Sequence, residues 1–152
     1  MKNICFFTEE VAFTLPAPDA TTAWLQTVIQ QECYALVHLN FIFCSDRYLQ
    51  AYNAQYLQHN TLTDVLAFDY ASTPRTIEGD IYISVDRVRD NAKTWELPFM
   101  QELHTVMVHG VLHLLGYRDH TPEAKTEMRA KEAKYIAQNR HLSTAAISQG
   151  LS

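Results

Sequence analysis

Apolar and polar residues alternate over some stretches of this chain and recur every three or four positions over others. The switch between those two periods divides it into elements. Ile4–Phe7 reads as a short strand. Asp19 or Thr21 can cap a helix whose apolar face carries Trp24, Leu25, Val28 and Ile29. Leu39–Phe43 sets Leu and two Phe against Asn and Ile, the pattern of a well-buried strand. Ser45 and Asp46 then offer caps for a helix through about Leu57. Val65–Tyr70 and Asp80–Ser84 are β-rich runs separated by a Ser-Thr-Pro turn region and Gly79, which predicts an antiparallel hairpin with a longish connection. Val85–Trp95 and Phe99–Leu115 read as helices, and in the second Leu103, Val106, Met107, Gly110 and Leu114 recur at helical spacing and would face a core. Thr121-Pro122-Glu123 begins a last helix with a cap followed by Pro at the first position.

This order points to an α+β fold, with a mixed α/β arrangement as its neighbour. The expectation is a single domain over residues 1–142, with a small mixed sheet of about four strands packed by about five helices. Residues 143–152 are expected to form a flexible tail. At 152 residues the chain can bury a core without disulfides, since a domain of this size removes roughly 68–70% of its unfolded surface from water. A composition of 47% hydrophobic and 19% charged residues excludes a disordered chain.

Cys5, Cys33 and Cys44 are odd in number and form no C-x-x-C pair, so they read as buried small hydrophobes in a reducing compartment. Glu9 and Glu10 follow Phe6-Phe7 too closely for a signal-peptide core, and no apolar run approaches the ~18 residues of a membrane span. A cytoplasmic protein without a membrane or DNA partner is expected. The net charge of −5 argues against nonspecific coating of nucleic acid, whose affinity comes from phosphate neutralisation. A local basic surface is still allowed. Arg118, Lys125, Arg129, Lys131, Lys134 and Arg140 outnumber Asp119, Glu123, Glu127 and Glu132, a bias that by itself reads as a solvated helix face.

The candidate chemistry lies in His109-Gly110-Val111-Leu112-His113-Leu114-Leu115-Gly116-Tyr117-Arg118-Asp119-His120. His109 and His113 are one turn apart on one helix face. Gly116 follows where a helix can end in a left-handed cap, after which the chain can return with a third ligand. That is a pattern for a metal with an open coordination position. His38, His59, His104 and His141 read as ordinary core or surface histidines, and His104 lies roughly 140° around the helix from His109 at ~100° per residue. In H-E-x-x-H zinc proteases the residue after the first histidine is the general base; here it is Gly110, which disfavours peptide hydrolysis by that route. Glycine there leaves room for close packing or for a substrate to approach.

The segment resembles the H-G-x-L-H-L-x-G-Y-D-H signature of the YbeY family of metal-dependent endoribonucleases. Asn53-x-x-Tyr56, Thr63-Asp64-Val65-Leu66-Ala67-Phe68 and Gly79-Asp80-Ile81-Tyr82-Ile83-Ser84 resemble further family blocks, and Met128 and Glu132 fall where the family has M-x-x-x-E. The resemblance implies one α+β domain with a zinc-binding three-histidine site and a role in ribosomal RNA maturation and ribosome quality control. Two departures stand out. The family's third histidine position holds Asp119, and His120 comes one later. The family's step from that ligand to its methionine fits Asp119 to Met128 without a gap, so Asp119 is the expected ligand, with His120 as the alternative or as a supporting group. The family's arginine after N-x-x-Y is Leu57 here, which leaves Arg118 to supply a charge at the cleft, with Arg87 and Arg89 as weaker candidates.

The expected site is therefore one zinc per chain on His109, His113 and Asp119. Such an ion lowers the pKa of water towards about 7 and polarises a phosphoryl oxygen. Asp64 and Asp80 are candidates for the general base, or else turn and cap residues. Tyr117 is a candidate stacking surface, or else a packed aromatic. The expected activity is single-strand-specific endoribonuclease cleavage in small-subunit (16S) rRNA 3′-end maturation, with ribosomal RNA and the small subunit as partners. The rival readings are a metal-dependent hydrolase of a smaller non-RNA substrate and a noncatalytic ribosome assembly factor with a structural metal. Native metal, cleavage position and oligomeric state are not legible in the sequence.

Overall fold

The computed structural model describes the backbone of residues 3–56 and 63–150, and the side chains within it except those of residues 55, 56 and 140–150. Leu57 and His59 lie outside the described residues, as do the side chains of His141 and of the expected tail. The element order is β1 (Ile4–Glu9), α1 (Pro18–Gln31), β2 (Ala35–Cys44), α2 (Asp46–Tyr56), β3 (Val65–Asp69), β4 (Thr76–Ser84), α3 (Val85–Thr94), α4 (Phe99–Leu114) and α5 (Pro122–Gly150). The four strands form one sheet in the order β1-β2-β4-β3. β1 and β2 pair in parallel, β2 and β4 pair in parallel, and β3 runs antiparallel to β4 as the expected hairpin partner. Among the described residues, the α+β architecture of four strands and five helices matches the expectation. Among the described residues no helix is long and apolar enough to cross a membrane.

Strand periodicity separates the two faces of the sheet. Along β4, Ile77, Gly79, Ile81 and Ile83 are buried on one face, where they join Leu39, Phe41 and Phe43 of β2. Against this face lie Trp24, Leu25, Val28 and Ile29 of α1, Val88 of α3, and Leu103, Val106, Met107, Val111 and Leu114 of α4. All four α1 residues named from the pattern are in this core, as are the apolar α4 positions. Leu66, Phe68 and Tyr82 point to the opposite face, where Leu49, Tyr48 and Tyr52 of α2 cover them. α5 crosses back over the first core through Met128 and Tyr135, and the Trp24 indole N–H donates to the Tyr135 carbonyl at 2.9 Å in a buried setting. That bond satisfies an indole which would otherwise be stranded in apolar surroundings.

Side-chain caps mark the starts of α2, α3 and α5. The Ser45 hydroxyl accepts from the Tyr48 N–H at 3.1 Å, Ser84 from Arg87 at 3.2 Å and Thr121 from Ala124 at 3.0 Å. α1 differs from expectation: it begins at Pro18, preceded by Ala17 in the left-handed region, with no side-chain cap. Proline presets the first helical φ, so Asp19 falls inside the first turn and the Thr21 hydroxyl donates back to the Ala17 carbonyl. α1 ends in a Schellman turn, with Tyr34 N–H on the Ile29 carbonyl and Cys33 N–H on that of Gln30. Cys33 takes the left-handed position there, at φ 64, and is exposed. Of the three cysteines only Cys44 is fully buried, so the buried reading fails for Cys33 and holds in part for Cys5.

Candidate metal centre

α4 is seated on the sheet by a missing side chain. A Cβ at Gly110 would lie 2.8 Å from Cγ2 and 3.0 Å from Cδ1 of Ile81, so the helix backbone rests directly on β4. Close packing is thus the use made of this glycine, and the slot that carries the general base in H-E-x-x-H proteases faces the core. With Gly110 turned to the sheet, His109 and His113 project from the flank of α4, each about a quarter exposed. Their rings meet edge to face with centroids 4.6 Å apart.

The helix then ends as its glycine predicts. Gly116 has φ 101, its N–H donates to the His113 carbonyl and the Tyr117 N–H to that of Leu112, both at 3.0 Å. This Schellman turn reverses the chain and returns Asp119 over the two histidines. Oδ2 of Asp119 lies 3.6 Å from Nε2 of His109 and 3.5 Å from Nε2 of His113, and the two Nε2 atoms are 3.0 Å apart. His109, His113 and Asp119 are thereby brought together as a group able to hold a metal ion.

Donor chemistry supports the fit. Nδ1 of His109 lies 2.5 Å from Oε2 of Glu132 on α5, so Nδ1 is held by the carboxylate and Nε2 is the ring atom turned to His113 and Asp119. At His113 the Tyr117 backbone favours a proton on the ring. Two imidazole nitrogens and a carboxylate oxygen then converge, a donor set that suits a transition-metal cation. Tetrahedral ligands at ~2.0–2.2 Å from an ion stand roughly 3.3–3.5 Å from one another, and the observed 3.0, 3.5 and 3.6 Å bracket that spacing.

Burial alone would lower the pKa of His109, but the hydrogen bond and charge of Glu132, helped by Asp119 and Asp64, raise it overall. For His113, burial and then the neighbouring His109 lower it. The triad opens into a cleft of about 770 Å³ bounded by the edge strand β3, with Asn53, Asp64, Arg118 and His120 also on its wall. A larger cavity, about 990 Å³, lies elsewhere, between β1 and α1, and is lined mainly by apolar side chains.

Asp64 enters the cleft just before β3, and burial raises its pKa against the pull of its own backbone N–H and of His109. Asn91 donates to its Oδ2 at 3.4 Å. Behind His109, Glu102 of α4 is 5% exposed, and burial, then Asp64 and Glu132, push its pKa up to about 7. Asp80 does not join the site. Strand alternation turns it to the α2 face of the sheet, where it accepts from Asn40 Nδ2 at 3.0 Å. Arg87 is paired with Asp46 at 2.7 Å and Arg89 lies over Phe99, so neither is presented to the cleft. Arg118 is exposed at the cleft mouth, with Nη1 3.5 Å from the carbonyls of His113 and Tyr117. Tyr117 is partly buried, its hydroxyl donating to Glu32 at 2.6 Å, the packed role rather than the stacking one. His120 is exposed on the cleft wall and stands outside the converging group. His104 points to Trp24 and Asn139, on another face as expected.

Glu132 and Glu102 are the site residues that the pattern of the chain does not reveal as such. Glu132 carries a family-position signal, but its role depends on where α5 crosses α4. Glu102 carries no signal beyond being a charged residue on an otherwise apolar helix face.

Residues 8–140 match the family model described as Endoribonuclease YbeY. A protein of Amoebophilus asiaticus named Endoribonuclease YbeY is 56% identical over 138 residues, covering 91% of this chain and 94% of its own length. One of the same name from Cytophaga hutchinsonii is 44% identical over 131 residues, covering 86% and 92%. The fold is similar to the solution structure of a Thermotoga maritima protein, with a TM-score of 0.66 and 26% identity over 96% of this chain and 95% of that one.

Proposed function

The chain belongs to the YbeY endoribonuclease family, and we propose that it is a single-strand-specific, metal-dependent endoribonuclease of small-subunit (16S) rRNA 3′-end maturation and ribosome quality control, working in the cytoplasm on ribosomal RNA. The observation that carries the metal-dependent part is the convergence of His109 Nε2, His113 Nε2 and Asp119 Oδ2. We assign zinc to these three residues, one ion per chain. Bound there, zinc supplies Lewis acidity towards a phosphoryl oxygen and a more acidic water.

The chain's own groups do the rest. Glu132 fixes the orientation of the His109 imidazole. Asp64, half-shielded in the same cleft with a raised pKa, is placed to take a proton from the attacking water, and Asn91 orients its carboxyl group. Arg118 at the cleft mouth offers a guanidinium to the phosphate in place of the family arginine. A three-donor set leaves a coordination position for substrate, which favours catalysis over a purely structural metal with four protein ligands.

The test is to incubate metal-loaded protein with precursor small-subunit rRNA beside its His113→Ala variant. Cleavage by the wild type alone is expected. Equal cleavage by both would place the activity elsewhere, and no cleavage by either would turn the reading towards a smaller substrate or an assembly role.

A further inference from the structure

Arg118 is the wall between two pockets. One side is the metal cleft; the other is a polar pocket of about 410 Å³ with Tyr34, Arg75, Gly116 and Tyr117 among its lining. Arg75 is an exposed arginine that lines this second pocket and is held in place by its backbone and by the ring beneath it. It stands at the turn into β4 in the left-handed region, φ 58, and its carbonyl accepts from the Ala35 N–H at 2.9 Å. Its guanidinium lies 5.9 Å from the ring centre of Tyr34, and the Tyr34 hydroxyl donates to the Leu115 carbonyl at 2.9 Å. The ring under Arg75 is thus pinned to the last turn of α4, next to the Gly116 turn that carries Arg118 and Asp119. A guanidinium resting on an aromatic face keeps its N–H edge free for a phosphate.

Two carboxylates also line the pocket. Glu32 is already engaged by Tyr117, Tyr135 and Lys131, the last at 3.1 Å. Glu127 is exposed on α5, where solvent screens it. Gly116 adds no side chain to the floor: a Cβ there would meet only the Tyr34 hydroxyl, at 3.9 Å.

We propose, resting on the RNA-cleavage reading above, that this pocket is a phosphate subsite for the RNA strand beyond the cleavage position, with Arg75 and Arg118 as its paired cations. A strand lying across the metal cleft passes Arg118 and places a neighbouring backbone phosphate against Arg75. The subsite contributes to holding the strand and not to the chemical step.

The test uses the full chain and a fluorescently labelled single-stranded RNA. Binding is measured by anisotropy across a salt series on protein treated with a chelator to stop turnover, and cleavage kinetics are measured on metal-loaded protein. Arg75→Asn removes the charge while tolerating the left-handed backbone, Arg75→Lys keeps the charge without the fork, and Arg89→Ala serves as a control on another face. The expected result for Arg75→Asn is roughly three- to tenfold weaker binding, with the log–log salt slope reduced by about 0.7. KM should rise with kcat unchanged, Arg75→Lys should fall between, and Arg89→Ala should match the wild type. If the wild type cleaves RNA and Arg75→Asn matches it in affinity, slope and KM, the subsite is wrong and the endoribonuclease reading stands. If the wild type neither binds nor cleaves RNA, both are wrong.

Discussion

Nδ1 of His109 on α4 and Oε2 of Glu132 on α5, residues 23 positions apart in the sequence, lie 2.5 Å apart. This contact fixes which ring nitrogen of His109 faces Asp119 and His113, so α5 supports the candidate metal centre although it adds no atom to the converging group. Outer partners of metal-bound histidines are typically worth 10–100-fold in metal affinity. Glu132→Gln keeps the shape and loses the charge, and should weaken metal binding by about tenfold or more in a chelator-competition titration. Unchanged affinity would mean that Glu132 is a bystander.

A second tether acts on the ligand loop from the other side. Glu32 accepts from the hydroxyls of Tyr117 and Tyr135 and from Lys131, and so pins the loop two residues before Asp119. If this knot acts through Asp119, Glu32→Gln weakens metal binding in the wild type and has no further effect in an Asp119→Ala background. Equal losses in both backgrounds would show that the two positions act independently. Thermal unfolding of the same variants separates loss of the knot's stability from loss of metal.

The pH dependence of stability should carry the mark of Glu102. Burial first, then the charges of Asp64 and Glu132, raise its folded pKa from the usual 4.5 to about 7. A carboxyl group whose folded pKa is raised binds its proton more tightly in the folded state. Its stabilising contribution is present below pH 4.5 and is lost as pH rises through about 7. In metal-free protein, Glu102→Gln should therefore gain on the wild type between pH 5 and pH 8, by at most roughly 3 kcal/mol. Urea unfolding at the two pH values measures this; an identical difference at both would show that Glu102 does not titrate in that window.

Gly110 tests the seating of α4. An alanine there places its Cβ 2.8 Å from Ile81 Cγ2, and overpacking of this kind typically costs about 1–3 kcal/mol. Gly110→Ala should destabilise by that amount, and Ile81→Ala in the same chain should give less than the sum of the two single losses. Strict additivity would remove the packing explanation.

Much of this centre is legible along the chain because it is local. The four-residue spacing of His109 and His113 and the glycine at position 116 specify a helix face and its end, and the Schellman bonds at Gly116 are what that spacing requires. The apolar repeat of α4 and the hairpin of β3 with β4 follow from period alone. What depends on tertiary placement is not readable in this way. Asp80 belongs to a block that resembles the family, yet its position between Gly79 and Ile81, both buried against α4, turns it to the opposite face. Strand order and the parallel pairing of β2 with β4 join residues some 40 positions apart, as in Asn40 with Asp80. The partnership of Glu132 with His109 is of the same kind, since helical periodicity gives the face of α5 but not which helix it meets.

The central claim is that His109, His113 and Asp119 form the metal site while His120 stays outside it. The direct measurement is the metal content, by elemental analysis, of untagged wild type, Asp119→Ala and His120→Ala. About one transition-metal ion per chain in the wild type and in His120→Ala, with loss in Asp119→Ala, is the predicted result. Loss in His120→Ala alone would make that histidine the third ligand, and a wild type without metal would contradict the centre as a whole.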